Sequence, residues 1–184
     1  MKEEKCVILD FLPSGYPGRR QSEPIAQALG RNFSILELVP KDDVTLESGE
    51  EVYIGEGKRD KIRYIKGTLE YDKLTSFAQR LLAEMVEKIV KEDNGRFVDF
   101  FNKATTITPR MHQLQLLPGV GKKHVIDIID ERRKKKFESF EEIAARVKLT
   151  NPEKIVVKRI LQELEGNEKY FMFTPVKRRE VAFY

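Results

Sequence analysis

Short apolar runs, broken by glycine and proline, organise the first 72 residues. They predict β-strands over residues 5–11, 33–39, 52–54 and 61–66. Several short strands separated in this way are typical of a small, mostly antiparallel barrel or curled sheet. Between the first two strands, residues 22–30 are predicted to form one or two helical turns.

From residue 74 the apolar positions recur every three to four residues, which predicts helices. The apolar face of the first helix consists of Phe77, Ala78, Leu81, Leu82, Met85, Val86, Ile89 and Val90. Asn94 and Gly95 are predicted to end this helix. Phe97, Phe100 and Phe101 follow at helical spacing and predict a short second helix with its rings in the core; stacking on nucleic-acid bases is their alternative role. The change of pattern near residue 72 predicts a domain boundary.

Residues 107–130 hold the most specific pattern of the chain. Thr108 is predicted to be the N-cap of a helix and Pro109 its first residue. Gly119-Val120-Gly121 predicts a tight turn in which the glycines adopt positive φ and the valine points into the core. A second helix is predicted to begin directly after the turn, with the apolar residues Val125, Ile126, Ile128 and Ile129.

A helix that begins directly after a glycine turn offers unpaired backbone N–H groups at its positive end, where an anion binds. The missing Cβ atoms of Gly119 and Gly121 let a phosphate oxygen approach this backbone. Lys122 and Lys123 oppose the helix dipole by themselves, and a bound phosphate would relieve that conflict. The pattern therefore predicts a phosphate-binding site here, in which Val120 is the residue between the glycines. An ordinary tight turn between helices is the alternative.

The Leu-Pro-Gly-Val-Gly-Lys-Lys stretch resembles the helix-hairpin-helix motif of DNA-repair, recombination and DNA-uptake proteins. Residues 137–143 resemble the segment that joins paired hairpins in that superfamily. Ser139 and Glu142 within it match a capping box, which begins a further helix.

The resemblance places a second hairpin at residues 148–152, but both expected glycines are absent. Asn151 is instead predicted to be an N-cap and Pro152 the first residue of a helix that runs to Glu165. The second hairpin is therefore expected to be structural, and only the first to bind phosphate.

The formal net charge of +4 over 184 residues is unevenly distributed. Residues 1–72 carry 11 Lys+Arg and 14 Asp+Glu, whereas residues 108–184 carry 17 and 11. This gradient points to a polyanionic ligand for the C-terminal part, with a solvated lysine-rich surface as the alternative.

Five consecutive cations follow the second hairpin helix, namely Arg132, Arg133, Lys134, Lys135 and Lys136. They are predicted to extend the phosphate-binding track, or else to be a solvated helix end. The aromatic and basic residues 170–179 are suited to single-stranded nucleic acid, or to a packed terminal strand.

The N-terminal strands resemble an oligonucleotide-binding (OB) barrel in number and length. The net charge of −3 over residues 1–72 argues against a generally basic face. Local cations can still line one side, namely Arg19, Arg20, Lys58, Arg59, Lys61, Arg63 and Lys66. Tyr16, Tyr53 and Tyr64 are candidates for base stacking, and packing in the core or at the rim is the alternative.

Several classes of protein are excluded. No apolar run approaches the roughly 20 residues of a membrane-spanning helix. The charged start, Met1-Lys2-Glu3-Glu4-Lys5, does not match a signal peptide, so we expect a cytoplasmic protein.

One cysteine, Cys6, and two histidines cannot form an internal disulfide or a Cys-rich zinc site, and we expect no metal and no cofactor. His112 and His124 flank the glycine turn and are expected at the surface, with contact to phosphate as their alternative role.

We expect no catalytic residues, because the sequence contains no nucleophile elbow, Walker lysine loop or dinucleotide-binding glycine pattern. A DNA glycosylase or lyase is the enzyme alternative, since such enzymes use a similar hairpin. They need a base pocket and a catalytic Asp or Lys in a larger helical domain, for which residues 108–184 leave little room.

Over nearly its full length the chain resembles an archaeal family of unknown function described as predicted RNA-binding proteins. The matching stretches are residues 36–40, 49–55, 97–104 and 116–123. The resemblance implies RNA as the ligand, favoured over DNA, and brings no catalytic residues. A ribosome- or polymerase-associated adaptor with a basic protein partner, or a DNA-repair accessory factor, is the alternative.

These inferences predict an α+β fold, in which a small OB-like β-barrel precedes an all-α helix-hairpin-helix domain. The predicted divisions are a barrel at 1–72, connecting helices at 73–107, the hairpin domain at 108–166 and a basic, aromatic segment at 167–184.

Overall fold

The computed structural model describes residues 3–18 and 23–175. These residues form two compact units within a mixed α+β chain. The first, which we call the sheet unit, comprises residues 3–85 and 163–175; the second, the helical unit, comprises residues 86–162. Two expected contributors to binding, Arg19 with Arg20 and the basic triplet 177–179, lie outside the described residues.

Within the described residues, a curled, five-stranded antiparallel sheet forms the core of the sheet unit. Its strands are β1 (Lys5–Leu12), β2 (Ile25–Gly30), β3 (Ile35–Pro40), β4 (Glu51–Tyr53) and β5 (Ile62–Thr68). The order β4-β1-β2-β3-β5 places β4 and β5 at the two edges. The predicted barrel is therefore a half-barrel.

Both faces of the central strands are buried, and this explains why the sequence pattern missed β2, one strand of this sheet. All six residues of β2 and all six of β3 are buried. A strand buried on both faces lacks the alternation that identifies a strand, and alanine favours helix. The helical turns predicted for residues 22–30 are therefore wrong: residues 25–30 pair with β1 and β3.

Five α-helices and a short hairpin follow within the described chain. They are α1 (Ser76–Glu92), α2 (Asn94–Lys103), β6 (Thr106–Thr108), β7 (Met111–His112), α3 (Lys122–Lys134), α4 (Phe140–Val147) and α5 (Pro152–Glu165). Asn94 and Gly95 open α2 instead of closing α1. Phe97 and Phe101 are fully buried, which confirms their place in the core, whereas Phe77 is 46% exposed and does not belong to the buried face of α1.

The helix predicted to begin at Thr108 is wrong. Strand β6 pairs with β7, and Pro109 and Arg110 form the turn between them. The threonines and isoleucine before the turn are β-branched and favour extended backbone, and proline fits the second position of a β-turn. Helical structure begins only with a 3₁₀ turn at Gln113–Leu116.

A buried carboxylate holds the C-terminal residues of the sheet unit. Glu163 is fully buried. Its carboxylate accepts hydrogen bonds from the backbone N–H groups of Met172 at 2.9 Å, Phe173 at 3.0 Å and Thr174 at 3.0 Å. The Thr174 hydroxyl donates a fourth at 3.2 Å. Charged acceptors with several amide donors form strong hydrogen bonds, so this contact fixes the segment against the end of α5.

Candidate nucleic-acid interface

The glycine turn, residues 117–121, connects the 3₁₀ turn to α3. The Val120 N–H donates to the Leu117 carbonyl at 3.1 Å. Gly119 has φ of +82°, which favours glycine, and Val120 is only 6% exposed. Both features agree with the sequence prediction. The prediction of a positive φ at Gly121 is wrong. Its φ is −87° and its ψ is 177°, an extended conformation that any residue can adopt.

Gly121 is the N-cap of α3, and its carbonyl accepts the first intrahelical bond from the Val125 N–H at 3.1 Å. The amides of Lys122, Lys123 and His124 precede that bond and have no intrahelical acceptor. A Cβ added at Gly119 or Gly121 would meet no described atom within 4 Å. The backbone at the start of α3 is therefore open to an approaching ligand.

Two lysines flank these amides. Lys122 and Lys123 are exposed, and neither forms an ion pair within the described residues. The first turn of α3 contains no acidic residue. Amide donors, the positive end of the helix dipole and two unneutralised ammonium groups thus lie together, an arrangement that favours an anion.

A capping box shapes the 3₁₀ turn that leads into the glycine turn. The Leu114 N–H donates to His112 Nδ1 at 3.1 Å, and the His112 N–H donates to Gln115 Oε1 at 2.8 Å. His112 is 8% exposed, so its predicted surface position is wrong. Burial lowers the pKa of His112, and the Arg132 guanidinium lowers it further. A neutral ring with the proton on Nε2 keeps Nδ1 as an acceptor.

The cationic run lies at the other end of α3, about 20 Å along the helix axis from the glycine turn. Arg132 donates to the Phe101 carbonyl at 2.9 Å. Three further members form ion pairs, Arg133 with Asp130 at 3.6 Å, Lys134 with Glu131 at 2.6 Å and Lys135 with Glu138 at 3.2 Å. Lys136 is exposed. Most of the charge of the run is therefore compensated within the helical unit.

The second hairpin differs from the first in charge. Helix α5 begins at Pro152, as predicted, after Asn151 with φ of 49°. Proline lacks an N–H, and Glu153 places an acid in the first turn. A cleft of about 260 Å³ beside it is lined by Glu87, Lys91, Phe140, Glu141, Ala144, Asn151, Pro152, Glu153 and Lys154. The second helix start, which the sequence predicts to be structural, therefore has an acid in its first turn and both carboxylates and lysines beside it.

A family model described as "Protein of unknown function (DUF655)" matches residues 2–175. The chain belongs to this family. A relative described as "Uncharacterized protein MJ0038", from Methanocaldococcus jannaschii, is 45% identical over 179 residues, which cover 96% of this chain and 82% of the relative. The crystal structure of Af1531 from Archaeoglobus fulgidus is similar with a TM-score of 0.83 and 46% identity, and the match covers 94% of this chain and 100% of that one. The expected membership of an archaeal family of unknown function is confirmed.

In the sheet unit of this DUF655 chain, three of the cations that were candidates for a binding face form ion pairs. Arg63 pairs with Asp42 and Lys61 with Glu50. Lys66 contacts Glu23 at 3.0 Å, and this hydrogen bond lowers the pKa of the Glu23 carboxyl. Tyr64, 39% exposed, donates to the same carboxylate at 2.9 Å, and Tyr53 is 37% exposed, so both rings lie at the rim. Tyr16 donates to Glu37 at 2.7 Å.

Two features of the DUF655 helical unit were missed by the sequence analysis. The His112–Gln115 pair has the spacing of a capping box, but the usual motif begins with serine or threonine and not with histidine. Ile126 was counted among the four apolar residues of α3 but is 59% exposed, since positions 125, 126, 128 and 129 span more than one helix face. The predicted capping box is confirmed in half: Glu142 N–H donates to Ser139 Oγ, whereas the Glu142 carboxylate accepts from the Glu138 N–H.

None of the described helices is both long and apolar enough to cross a membrane. Within residues 3–18 and 23–175, the fold brings together no group of three His, Cys, Asp or Glu side chains that would hold a metal ion.

Proposed function

We propose that this chain is a non-catalytic nucleic-acid-binding protein that holds the phosphate backbone at the glycine turn and the first turn of α3. One arrangement carries the proposal. The three amides that precede the first intrahelical bond lie beside Lys122 and Lys123, which form no ion pair among the described residues. A phosphate accepts from such amides and is attracted by both lysines.

The charge of the helical unit supports a polyanionic ligand. Residues 86–162 carry 17 Lys+Arg and 11 Asp+Glu. Because four members of the cationic run are already bonded within the unit, we assign the principal contacts to Gly119, Val120, Gly121, Lys122 and Lys123. The run from Arg132 to Lys136 contributes secondary, longer-range attraction.

We propose RNA over DNA as the ligand, on the resemblance of the matching stretches to predicted RNA-binding proteins. The same proposal treats residues 113–134 as a helix-hairpin-helix motif and the half-barrel as OB-like. The turn with positive φ at Gly119 and the curled sheet with edges β4 and β5 support these two comparisons.

The single thiol gives no support to an enzyme. Cys6 is fully buried in β1, and burial raises the pKa of its thiol to about 12. A thiol that stays protonated at neutral pH is a poor nucleophile.

An adaptor role is the second candidate, favoured by the charge of the sheet unit. Its described residues carry 11 Lys+Arg and 18 Asp+Glu. Such a surface complements a basic protein, and a partner of this kind would bind without involvement of the glycine turn.

The test removes two charges and leaves the glycines intact. Lys122→Ala with Lys123→Ala should weaken binding to a labelled RNA oligonucleotide and reduce the slope of log affinity against log salt by about one unit per lysine in contact. Lys154→Ala with Lys158→Ala is the matched control, because it removes two exposed lysines from the second hairpin helix of the same unit. Equal losses in both pairs would mean that general basic charge holds the ligand. Unchanged RNA affinity in the first pair, with the fold intact by circular dichroism, would favour the adaptor.

A further inference from the structure

The helical unit has one large apolar side chain in an exposed position, Ile126 on α3. It is 59% exposed; the other exposed large apolar residues of the described chain, Tyr53, Tyr64 and Phe77, belong to the sheet unit. Buried neighbours fix its direction, because Val125 and Ile128 are 7% and 0% exposed and define the inner face of α3. Successive helix positions differ by about 100°, so Ile126 points away from that face.

Ile126 shares its surface with the proposed phosphate site. Residues three and four apart on a helix are neighbours, so Lys123 and Lys122 lie directly beside it. One turn further along, Asp130 pairs with Arg133 at 3.6 Å, which closes this strip of surface with a compensated ion pair. On its N-terminal side, Ile126 therefore lies beside two lysines that form no ion pair among the described residues. On its C-terminal side it lies beside the Asp130–Arg133 ion pair.

We propose that Ile126 packs against the sugar of the nucleotide whose phosphate the start of α3 binds. The inference rests on the proposed function. It adds an apolar contact between Ile126 and the nucleotide to the ionic contact between the lysines and the phosphate. The isoleucine lies about 6 Å along the axis from Lys122, and a sugar bonded directly to the bound phosphate comes within this reach. Every nucleotide presents the C–H groups of its sugar, so the contact is independent of base sequence.

A sugar contact and a phosphate contact respond differently to salt. Loss of a lysine changes the number of counterions released and therefore the slope of log affinity against log salt. Loss of an apolar contact lowers affinity by the same factor at every salt concentration. The two contacts can thus be separated on the same protein and the same RNA.

The test measures binding of a labelled oligouridine by the full-length chain over a range of salt concentrations. Ile126→Gln should weaken binding about three- to tenfold with an unchanged slope, since part of the buried apolar area is lost. Ile126→Leu should retain affinity within about twofold, because it keeps the apolar volume. Phe77→Gln, at an exposed apolar position of the sheet unit, is the matched control and should bind as the parent does.

Three outcomes overturn the inference. Parental affinity for Ile126→Gln, while the Lys122 and Lys123 double variant loses slope, would refute the sugar contact and leave the phosphate site standing. A changed slope for Ile126→Gln would show that the side chain acts through the lysines. Failure of the parent chain to bind oligouridine at any salt would instead refute the proposed function itself.

Discussion

The guanidinium of Arg159, on α5, donates to the main-chain carbonyl of Leu116 at 3.2 Å. Leu116 is the last residue of the 3₁₀ turn, and the glycine turn begins at the next position. Arg159 is 3% exposed, so this bond forms away from water. An α5 side chain thus fixes the backbone that enters the proposed phosphate site, 43 residues away in sequence.

Arg159→Met should lower the free energy of unfolding by about 1–3 kcal/mol, because it leaves a carbonyl without its charged donor. Urea denaturation followed by circular dichroism measures the change. Lys158→Met, at the exposed neighbouring position, should change it by less than about 0.5 kcal/mol. Parental stability of Arg159→Met would show that the bond contributes nothing.

The two glycines of the turn should respond in opposite ways. Gly119→Ala forces a Cβ into left-handed backbone and should cost about 1–2 kcal/mol of stability. Gly121→Ser should keep or slightly raise stability, because Gly121 is an extended N-cap with open space around it and serine is a better cap.

Gly121→Ser should nevertheless weaken RNA binding, since its hydroxyl accepts from the amides that we assign to phosphate. Thermal denaturation and fluorescence anisotropy on the same sample measure both quantities. Unchanged RNA affinity in a stable Gly121→Ser protein would argue against the amide site.

The capping box predicts a dependence of stability on pH. Burial holds the pKa of His112 below the ordinary histidine value of 6.5, so the unfolded chain binds the proton more tightly than the folded one. The stability from neutral His112 is therefore fully present above about pH 6.5 and decreases as the pH falls towards the lowered folded-state pKa.

His112→Asn retains a side-chain acceptor for the Leu114 N–H but does not titrate. The difference in unfolding free energy between the parent and this variant should shift in favour of the variant between pH 7 and pH 5. A difference that stays constant with pH would mean that protonation does not disturb the cap.

Sequence patterns predicted the elements that local chemistry decides. Strands β1, β3, β4 and β5 follow from short apolar runs between glycines and prolines, and the start of α5 follows from Asn151 and Pro152. Strand β2 was missed because burial on both faces removes the alternation. The β6–β7 hairpin was missed because Thr108-Pro109 fits a β-turn as well as a helix start.

The candidate site likewise has features that the sequence predicts and features that it does not. Gly119 at positive φ, the inward Val120 and the open start of α3 follow from residues adjacent in sequence. The contact of Arg132 does not, since its acceptor, the Phe101 carbonyl, lies 31 residues earlier. Arg133, Lys134 and Lys135 instead pair with acids three residues away, which the sequence places within reach. Charge counted along a sequence cannot tell a free cation from one whose partner the fold supplies.

The carboxylate of Glu163 has a consequence for where the chain can be altered. Met172, Phe173 and Thr174 together donate four hydrogen bonds to it. An insertion between residues 166 and 171 leaves these four donors in the chain. A stop codon before Met172 removes four donors from a fully buried anion, whereas one after Pro175 removes none of them. The last essential residue of the sheet unit is therefore set by an acid on α5, and tolerance to truncation should end abruptly at Thr174.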